Sequence, residues 1–237
     1  MKIALLGYGK MGKVIERIAL ERGHEIVLRK GSADSFEGLL NADVAIDFSV
    51  PNAAVGHISE CLNSNVPIVS GTTGWLHDYD KMVDLCNEKN GAFIYGSNFS
   101  LGVNLFFELN DYLSKMMAKF KEYTISMEEI HHTQKLDAPS GTAISLAKDI
   151  IKNAEYSNWT IGQEHNENEL FIDAKRIENV PGTHSVFYTS KVDTIEIKHT
   201  AHNRDGFALG SVIAAEWILG KNGVFTMKDV LELGKTI

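Results

Sequence analysis

Short apolar runs alternate with longer stretches of helical period over the first hundred residues. Residues 3–6 are apolar at every position, which is typical of a strand buried on both faces. Comparable strand-like runs recur at 24–28, 44–48, 67–70 and 92–95, and helical patterns separate them at 10–22, 51–63 and 76–88. This alternation predicts a Rossmann-like α/β domain built on a doubly wound parallel sheet.

The pattern changes after about residue 100. Helical patterns at 103–120 and 140–153 flank an alternating strand at 123–130, and strand-like runs follow at 170–177, 182–189 and 194–199. Consecutive strands without intervening helices predict an α+β domain with an open mixed or antiparallel sheet. Helical patterns at 206–219 and 227–233 are expected to return to the first sheet. We therefore expect one domain from residues 1–101 and 204–237, with residues 102–203 inserted as a second domain.

Composition and charge narrow the classes of partner. The chain of 237 residues is 44% hydrophobic and 23% charged, which is ordinary for a globular protein. Its net charge of -8 predicts repulsion from phosphate backbones, so no nucleic acid is expected as a partner. No segment approaches the roughly 18 apolar residues of a membrane span, and no signal cleavage site follows the first run, so a cytoplasmic protein is expected. Cys61 and Cys86 are expected to be buried free thiols.

A glycine-rich hexapeptide follows the first strand-like run and opens the first helical stretch: Gly7-Tyr8-Gly9-Lys10-Met11-Gly12. The first glycine permits a tight turn, the second lets a pyrophosphate approach the backbone, and the third lets the helix pack closely on the strand. The helix N-terminus adds free N–H groups and a partial positive charge. In this position the loop predicts a dinucleotide cofactor, and the alternative is a glycine-rich turn without a ligand.

The predicted end of the second strand bears on the choice between NADH and NADPH. An NAD-specific site usually places an acidic residue there for the ribose hydroxyls, whereas this chain has Arg29 and Lys30 and no acid before Asp34. Two cations would attract a 2′-phosphate, which favours NADPH. A solvated basic pair is the alternative, and use of both cofactors stays open.

Two more polar loops are expected at the same carboxyl edge of the sheet, where doubly wound folds bind ligands. They are Gly71-Thr72-Thr73-Gly74 and Gly96-Ser97-Asn98-Phe99-Ser100. In the first, backbone N–H groups and hydroxyls without bulk suit the carboxamide or ribose of a nicotinamide nucleotide. The alternative is an ordinary turn at each place.

The segment 128–143 concentrates polar chemistry in the second domain. It offers two adjacent histidines, a lysine and a Ser-Gly-Thr turn, namely His131, His132, Lys135, Ser140, Gly141 and Thr142. The serine is the expected N-cap of the next helix, so the N–H groups of the two following residues would point outward. Together with the lysine, they suit a substrate carboxylate. A nearby imidazole can donate a proton at neutral pH, since its reference pKa is about 6.5.

Metal binding is the rival interpretation of the histidine pair. Metal ligands usually lie at i, i+2 in strands or i, i+4 in helices, and no cysteine or H-E-x-x-H spacing supports a site here, so we expect no metal. A purely structural pair is the other alternative. Adjacent residues on an extended segment point in opposite directions, so only one imidazole is expected to reach a given substrate atom directly.

Residues 131–143 resemble the H-H-x-x-K-x-D-x-P-S-G-T-A motif of the dihydrodipicolinate reductase family. This motif is long and specific, and the resemblance covers essentially the whole chain. It includes the glycine loop, Asp47-Phe48-Ser49, the loop 71–74, the segment 98–104 and Arg204-Asp205-Gly206-Phe207.

The resemblance implies NAD(P)H-dependent reduction of a dihydrodipicolinate-type cyclic dicarboxylate to tetrahydrodipicolinate, in lysine and diaminopimelate biosynthesis. It also implies a dinucleotide-binding domain made of both chain ends, an inserted substrate-binding domain, and a homotetramer assembled through that second domain.

The resemblance further implies residue roles. His131 matches the family's proton donor, and Lys135 matches the second proposed donor and carboxylate partner. The remaining substrate contacts match His132, Ser140, Gly141 and Thr142. Cofactor contacts are expected at Gly7, Tyr8, Gly9, Lys10, Met11, Gly12, Arg29, Lys30, Phe48, Gly71, Thr72, Thr73, Gly96, Ser97, Asn98, Phe99 and Arg204.

Two other functions stay open from the sequence. An amino-acid or semialdehyde dehydrogenase on a similar two-domain frame would lack a reason for the adjacent histidines and the turn at 139–142. A dinucleotide-binding redox sensor that acts on DNA would need a basic helix-turn-helix, whereas this chain is acidic.

Overall fold

The computed structural model describes residues 1–162, 166 and 168–233 and divides into two compact units. Unit 1 comprises Met1–Asn104 with Asp205–Ile237, and unit 2 comprises Leu105–Arg204. Residues 234–237, which the sequence pattern assigned to the first domain, lie outside the described residues.

The strands, in chain order, are β1 (Lys2–Leu6), β2 (Glu25–Lys30), β3 (Val44–Asp47), β4 (Ile68–Ser70), β5 (Ala92–Tyr95), β6 (Thr124–His131), β7 (Asn158–Ile161), β8 (Glu169–Arg176), β9 (Gly182–Thr189), β10 (Thr194–Ala201) and β11 (Gly223–Phe225). The helices are α1 (Lys10–Glu21), α2 (Pro51–Asn63), α3 (Tyr79–Glu88), α4 (Leu101–Met117), α5 (Gly141–Asn153), α6 (Asp205–Ile218) and α7 (Met227–Val230). Short 3₁₀ turns occur at Leu39–Asn41 and Leu76–Asp78.

Unit 1 is built on a six-stranded parallel sheet in the order β11-β5-β4-β3-β1-β2. Side chains alternate between the two faces of a strand, so Ile3 and Leu5 pack in the core with α1 and α6, and Ala4 and Leu6 pack in the core with α2 and α3. Because both faces are covered, β1 is apolar at consecutive positions. The predicted Rossmann-like parallel sheet is confirmed.

Unit 2 contains a five-stranded mixed sheet in the order β10-β9-β6-β8-β7. Strands β6, β7 and β8 run parallel, whereas β9 runs antiparallel to both β6 and β10. Residues of α4 and α5 share one core with alternate residues of β6, β8 and β9. This arrangement confirms the predicted α+β half with an open mixed sheet.

The sequence pattern did not predict β7 or β11. Both are short edge strands, of four and three residues, and β7 carries two polar residues among its four. With so few residues, neither the alternation in β7 nor the apolar pair in β11 stands out from the surrounding sequence as a strand signal. The helix predicted over 227–233 is also shorter than expected, since α7 ends at Val230.

Within the described residues, no helix combines the length and the apolar character that crossing a membrane requires. Both cysteines are buried free thiols, as predicted.

Two helical glycines provide a test of the packing in unit 1. A Cβ on Gly210 of α6 would lie 1.7 Å from the carbonyl oxygen of Phe99, so Gly210→Ala should destabilise the protein by about 1–3 kcal/mol or more. A Cβ on Gly56 of α2 meets no atom of the part of the chain that the structure describes within 4 Å, so Gly56→Ala should stabilise the protein by about 0.5–1 kcal/mol through backbone entropy. Urea unfolding of the whole chain measures both changes. Equal effects of the two substitutions would contradict the close approach of α6 to Phe99.

Candidate active site

The glycine loop of unit 1 forms the turn between β1 and α1. Gly7 has a φ of +97°, and a Cβ there would lie 2.2 Å from the carbonyl oxygen of Phe48. A Cβ on Gly12 would lie 2.4 Å from the carbonyl oxygen of Gly7, whereas a Cβ on Gly9 would meet none of the described residues within 4 Å. The outer two glycines therefore permit close backbone packing, and the middle one borders open space.

The start of α1 is suited to an anion. Gly9 is the N-cap, no side chain caps the helix, and its first turn contains no acidic residue. The N–H groups of the first turn have no acceptor within the helix, and they carry the positive end of its dipole. The N–H groups of Gly7 and Tyr8 donate to the carbonyl of Lys30 and fix the loop on the end of β2. These features fit the pyrophosphate of a dinucleotide.

The sheet order β5-β4-β3-β1 brings the other predicted loops to the same carboxyl edge. The ring of Phe48 covers Gly71, where a Cβ would lie 2.3 Å from it, and stands 5.7 Å from the ring of Phe99. Thr72 is buried, and its hydroxyl accepts from the N–H of Ser49 at 2.8 Å. By contrast, Thr73 and Ser97 are exposed at this edge.

A buried carboxylate joins these strand ends. Asp47, the last residue of β3, accepts hydrogen bonds from the hydroxyls of Ser49 at 2.7 Å and Ser70 at 2.8 Å, and its Oδ1 lies 2.8 Å from His57 Nδ1 on α2. It therefore links β3, β4 and α2 in one network. The sequence marked this aspartate only as part of the family resemblance and gave no sign of its partners on other elements.

The two cations at the end of β2 point to opposite faces of the sheet. Lys30 is buried, donates to the carbonyl of Asp34 at 2.5 Å, and lies 4.8 Å from the centre of the Phe36 ring. Arg29 instead reaches α1, where its Nε donates to Glu16 at 2.7 Å. A 2′-phosphate contact stays a prediction for Arg29 on the α1 face, whereas the side chain of Lys30 lies on the opposite face and is bound to the carbonyl of Asp34.

In unit 2, the end of β6 carries a buried polar cluster. Glu129 and His131 share one face of β6, and the register places Glu129 opposite His184 of β9 and His131 opposite Arg176 of β8. Glu129 is fully buried. Its Oε1 accepts from Arg176 at 3.1 Å, and its Oε2 lies 3.6 Å from His131 Nδ1 and 3.8 Å from His184 Nε2.

The same carboxylate fixes the start of α5. Its Oε2 accepts from the N–H of Ser140 at 2.9 Å, and the Ser140 hydroxyl accepts from the N–H of Ala143 at 3.2 Å, so Ser140 is the N-cap as predicted. Gly141 is exposed, and Thr142 is half-buried. The N–H groups of these two residues lack acceptors within the helix. They form a pair of hydrogen-bond donors next to the buried polar cluster of Glu129, His131 and His184.

The segment between β6 and α5 is braced from β8. The Arg176 guanidinium donates to the carbonyls of Lys135 and Asp137, at 3.3 Å for the first. The Lys135 ammonium pairs with both carboxylate oxygens of Asp137 at 2.8 Å. His132 is half-buried, and among the described residues its Nδ1 has no hydrogen-bond partner. The hydrogen bonds from Arg176 thus hold the backbone of Lys135 near the buried polar cluster.

The protonation of this cluster is set by burial and by the charges around it. Burial lowers the pKa of His131, and the charges of Lys135 and Arg176 act in the same direction, whereas Glu129 opposes them. Burial, with the charge of His131, lowers the pKa of His184 to about 4. Burial works to raise the pKa of Glu129, but hydrogen bonds from Ser140 and the cationic neighbours outweigh it and lower the pKa. In the ligand-free protein, therefore, Glu129 is ionised and His184 is neutral at pH 7.

Three of these groups also have the chemistry of a metal site. One ligand atom each of Glu129, His131 and His184 lie within 4.8 Å of one another. However, Glu129 already accepts from the Ser140 N–H and from the cationic Arg176. A guanidinium on the carboxylate opposes a second cation, so we interpret the cluster as a hydrogen-bonded charge network.

The structure brings together some predicted residues and adds others that sequence reasoning missed. His131, Lys135, Ser140, Gly141 and Thr142 all belong to the β6–α5 segment. Arg204 is exposed and is the last residue of unit 2. The missed residues are Glu16, Glu129, Arg176 and His184. Of these, only Glu129 carried a signal, as a charged residue two positions before His131 in a buried strand.

Comparison with known proteins gives a match to one family along both halves of the chain. The model described as "Dihydrodipicolinate reductase, N-terminus" matches residues 1–99, and that described as "Dihydrodipicolinate reductase, C-terminus" matches residues 102–231.

Individual relatives agree with this match. A 4-hydroxy-tetrahydrodipicolinate reductase of Christiangramia forsetii is 55% identical, with 98% of each chain covered. One of Methanoregula boonei is 33% identical, with 99% of each chain covered. Among solved structures, a dipicolinate-bound dihydrodipicolinate reductase of Paenisporosarcina sp. TG-14 has a TM-score of 0.76 at 20% identity, with 95% of this chain and 97% of that one covered. At that identity, the likeness is one of fold.

The buried neutral His184 predicts a loss of stability in acid. The unfolded chain takes up this proton near pH 6.5, whereas the folded chain takes it up only near pH 4. Stability should therefore fall by about 3 kcal/mol as the pH drops through that window. His184→Asn should be less stable than wild type at pH 8 but should lose less stability between pH 7 and pH 5. Urea unfolding at each pH measures this slope, and an unchanged slope in the variant would contradict the assignment.

Proposed function

The chain belongs to the dihydrodipicolinate reductase family, and we propose how its residues carry out the reaction of a 4-hydroxy-tetrahydrodipicolinate reductase. It is an NAD(P)H-dependent oxidoreductase of lysine and diaminopimelate biosynthesis. The family match over both halves of the chain carries this conclusion. The substrate is the dihydrodipicolinate-type cyclic dicarboxylate, or its 4-hydroxy precursor after loss of water, and the product is tetrahydrodipicolinate.

The substrate carboxylates are held by the start of α5 and by Lys135. The N–H groups of Gly141 and Thr142, with the hydroxyl of Thr142, provide donors at the positive end of a helix dipole. Lys135 provides the counter-charge, and His132 supplies a further contact. Ser140 contributes indirectly, since its hydroxyl caps the helix and so holds these donors in place. Because these donors are already fixed by the fold, they orient a planar dicarboxylate without further ordering of the protein during the reaction.

Proton transfer to the reduced ring is assigned to His131, with Lys135 as the second candidate. Since His131 has a lowered pKa in the ligand-free protein, it is largely neutral at pH 7 before substrate binds. Two substrate carboxylates bring negative charge, which raises the pKa of a neighbouring imidazole. His131 therefore becomes protonated when the substrate binds. The bound nicotinamide cofactor supplies the hydride.

The cofactor is assigned to the carboxyl edge of the unit 1 sheet. The proposed contacts are those predicted from the sequence within unit 1, at residues 7–12, Phe48, 71–73 and 96–99. Of the two cations at the end of β2, Arg29 is the group for a 2′-phosphate, while Lys30 contributes through its backbone carbonyl. We favour NADPH on this basis, with NADH also accepted.

We also propose that unit 2 forms the contacts of a homotetramer and that the enzyme is cytoplasmic. The helices of unit 2 share a core with one face of its sheet. Side-chain alternation places the half-buried Phe171 and Phe187 on the other face. These two rings lie on either side of Ser126 of β6 in the strand register. Aromatic side chains on the sheet face away from the helices favour self-association.

Removing either proposed donor should reduce turnover. His131→Ala and Lys135→Ala should each lower kcat by roughly 10²–10⁴-fold, because each removes a group that transfers or stabilises a proton. Lys135→Ala should also raise KM, since it removes a carboxylate partner. The assay follows absorbance at 340 nm with NADPH or NADH and the condensation product of pyruvate and aspartate semialdehyde. Gln134→Ala, at an exposed neighbour, is the control, and wild-type kcat in both test variants would refute the roles.

The charge of Glu129 should control the pH dependence of turnover. Glu129→Gln keeps an oxygen that can accept from the Ser140 N–H but removes the charge that raises the pKa of His131. Activity that requires protonated His131 falls as the pH rises through that pKa. In the variant, the fall should therefore begin about half to one pH unit lower.

The matched control for Glu129 lies next to it in β6. Glu128→Gln removes a carboxylate from the opposite face of the strand, where it pairs with Lys175, and should leave the pH profile of kcat unchanged. If Glu129 acts only in packing, Glu129→Gln will lower yield or raise KM while the profile stays in place.

A further inference from the structure

Glu16 lies beside the predicted cofactor loop without having a role in the reaction. It is on α1, one turn beyond Gly12, and its side chain is only 15% exposed. Its carboxylate accepts from the hydroxyl of Tyr8, inside the glycine loop. The same carboxylate accepts from Nε of Arg29 at 2.7 Å and from Nη2 of Arg29. Glu16 thus connects the loop, the helix and the end of β2.

The position of Arg29 makes this connection relevant to the choice of cofactor. In this fold, residues at the end of the second strand meet the 2′ position of the adenosine ribose. Arg29 pairs with Leu5 in the strand register, and its side chain points to the face that carries α1. Lys30, next to it, points to the other face and binds the carbonyl of Asp34. Of this pair of cations, only Arg29 is therefore placed for a 2′-phosphate.

We propose that Glu16 is a specificity-determining residue, which holds Arg29 and thereby limits the preference for NADPH over NADH. The inference rests on the proposed function, in that it takes the carboxyl edge of the unit 1 sheet as the cofactor site. Glu16 replaces, from α1, the acidic residue that an NAD-specific site carries on β2.

The charges explain the direction of the effect. The hydrogen bond from Tyr8 and the charge of Arg29 lower the pKa of Glu16, so it is ionised at neutral pH. A 2′-phosphate carries close to two negative charges at pH 7. It must share the Arg29 guanidinium with Glu16 and is repelled by the carboxylate. NADH presents a neutral hydroxyl at that position, so it neither competes with Glu16 for Arg29 nor is repelled by the Glu16 carboxylate.

Calorimetric titration of the full chain with NADP⁺ and NAD⁺, in the absence of substrate, tests the proposal. Glu16→Gln keeps the size and hydrogen-bonding capacity of the side chain but removes its charge. The dissociation constant for NADP⁺ should fall roughly 5- to 20-fold, whereas that for NAD⁺ should change less than about twofold. Glu21→Gln is the control, because it removes an exposed carboxylate that pairs with Arg17 on the same helix. It should leave both constants unchanged.

The double variant separates an effect through Arg29 from general repulsion. Arg29→Gln alone should weaken NADP⁺ binding, and adding Glu16→Gln to it should tighten binding less than Glu16→Gln does when Arg29 is present, because only the direct repulsion is then removed. An unchanged ratio of the two dissociation constants in Glu16→Gln overturns the proposal. Equal gains for NADP⁺ in the presence and absence of Arg29 overturn it as well. If wild-type protein binds neither nucleotide, the cofactor site itself is wrong, which distinguishes that failure from a failure of the Glu16 inference.

Discussion

The positions of the candidate catalytic and substrate-binding groups in unit 2 depend on one buried carboxylate, that of Glu129. A fully buried charge is costly unless cations and hydrogen-bond donors surround it, and here the donors come from different elements: Arg176 from β8 and the Ser140 N–H from the start of α5. Satisfying this charge therefore fixes the distance from the end of β6 to the N-terminus of α5. His131 lies at the end of β6, and the N–H donors of Gly141 and Thr142 lie at the start of α5. Their mutual position follows from an electrostatic requirement of the fold.

Unit 1 also has a buried, hydrogen-bonded acidic residue at the edge of the sheet that we propose as its cofactor site. Asp47 is fully buried at the end of β3, and hydroxyls from Ser49 and Ser70, with an imidazole from α2, surround it. Polar loops at strand ends have few apolar contacts to hold them, so a hydrogen-bonded carboxylate replaces packing as the source of order. In both units, a buried acidic residue at or near the end of a strand organises the candidate site, and the residues proposed to contact a ligand lie in the loop or helix start next to it.

This division explains what the sequence could and could not predict. Hydrophobic periodicity was sufficient to predict both sheets apart from the short edge strands β7 and β11, because apolar or strand-like runs such as 3–6 and 182–189 depend on local spacing alone. The glycine loop and the N-cap Ser140 are local motifs as well. Glu16, Arg176 and His184 act across 13 to 55 positions of sequence through strand register and helix packing, which no local pattern encodes. The opposite directions of Arg29 and Lys30 follow from strand alternation, but the face that carries α1 is known only once the sheet is assembled.

The two cations near the histidine cluster can be distinguished by their partners. Arg176 pairs with Glu129, whose side chain is 0% exposed, and removing that guanidinium would leave a buried carboxylate without its arginine partner. Lys135 pairs with Asp137, whose side chain is 59% exposed. An exposed ion pair contributes little to stability, and the displaced carboxylate of Asp137 can return to water. A substrate carboxylate can therefore replace Asp137 on Lys135 at small cost, whereas it cannot replace Glu129 on Arg176. The exposure of the two carboxylate partners thus favours Lys135 as the cation that binds substrate and Arg176 as the one that holds the β6–α5 segment in place.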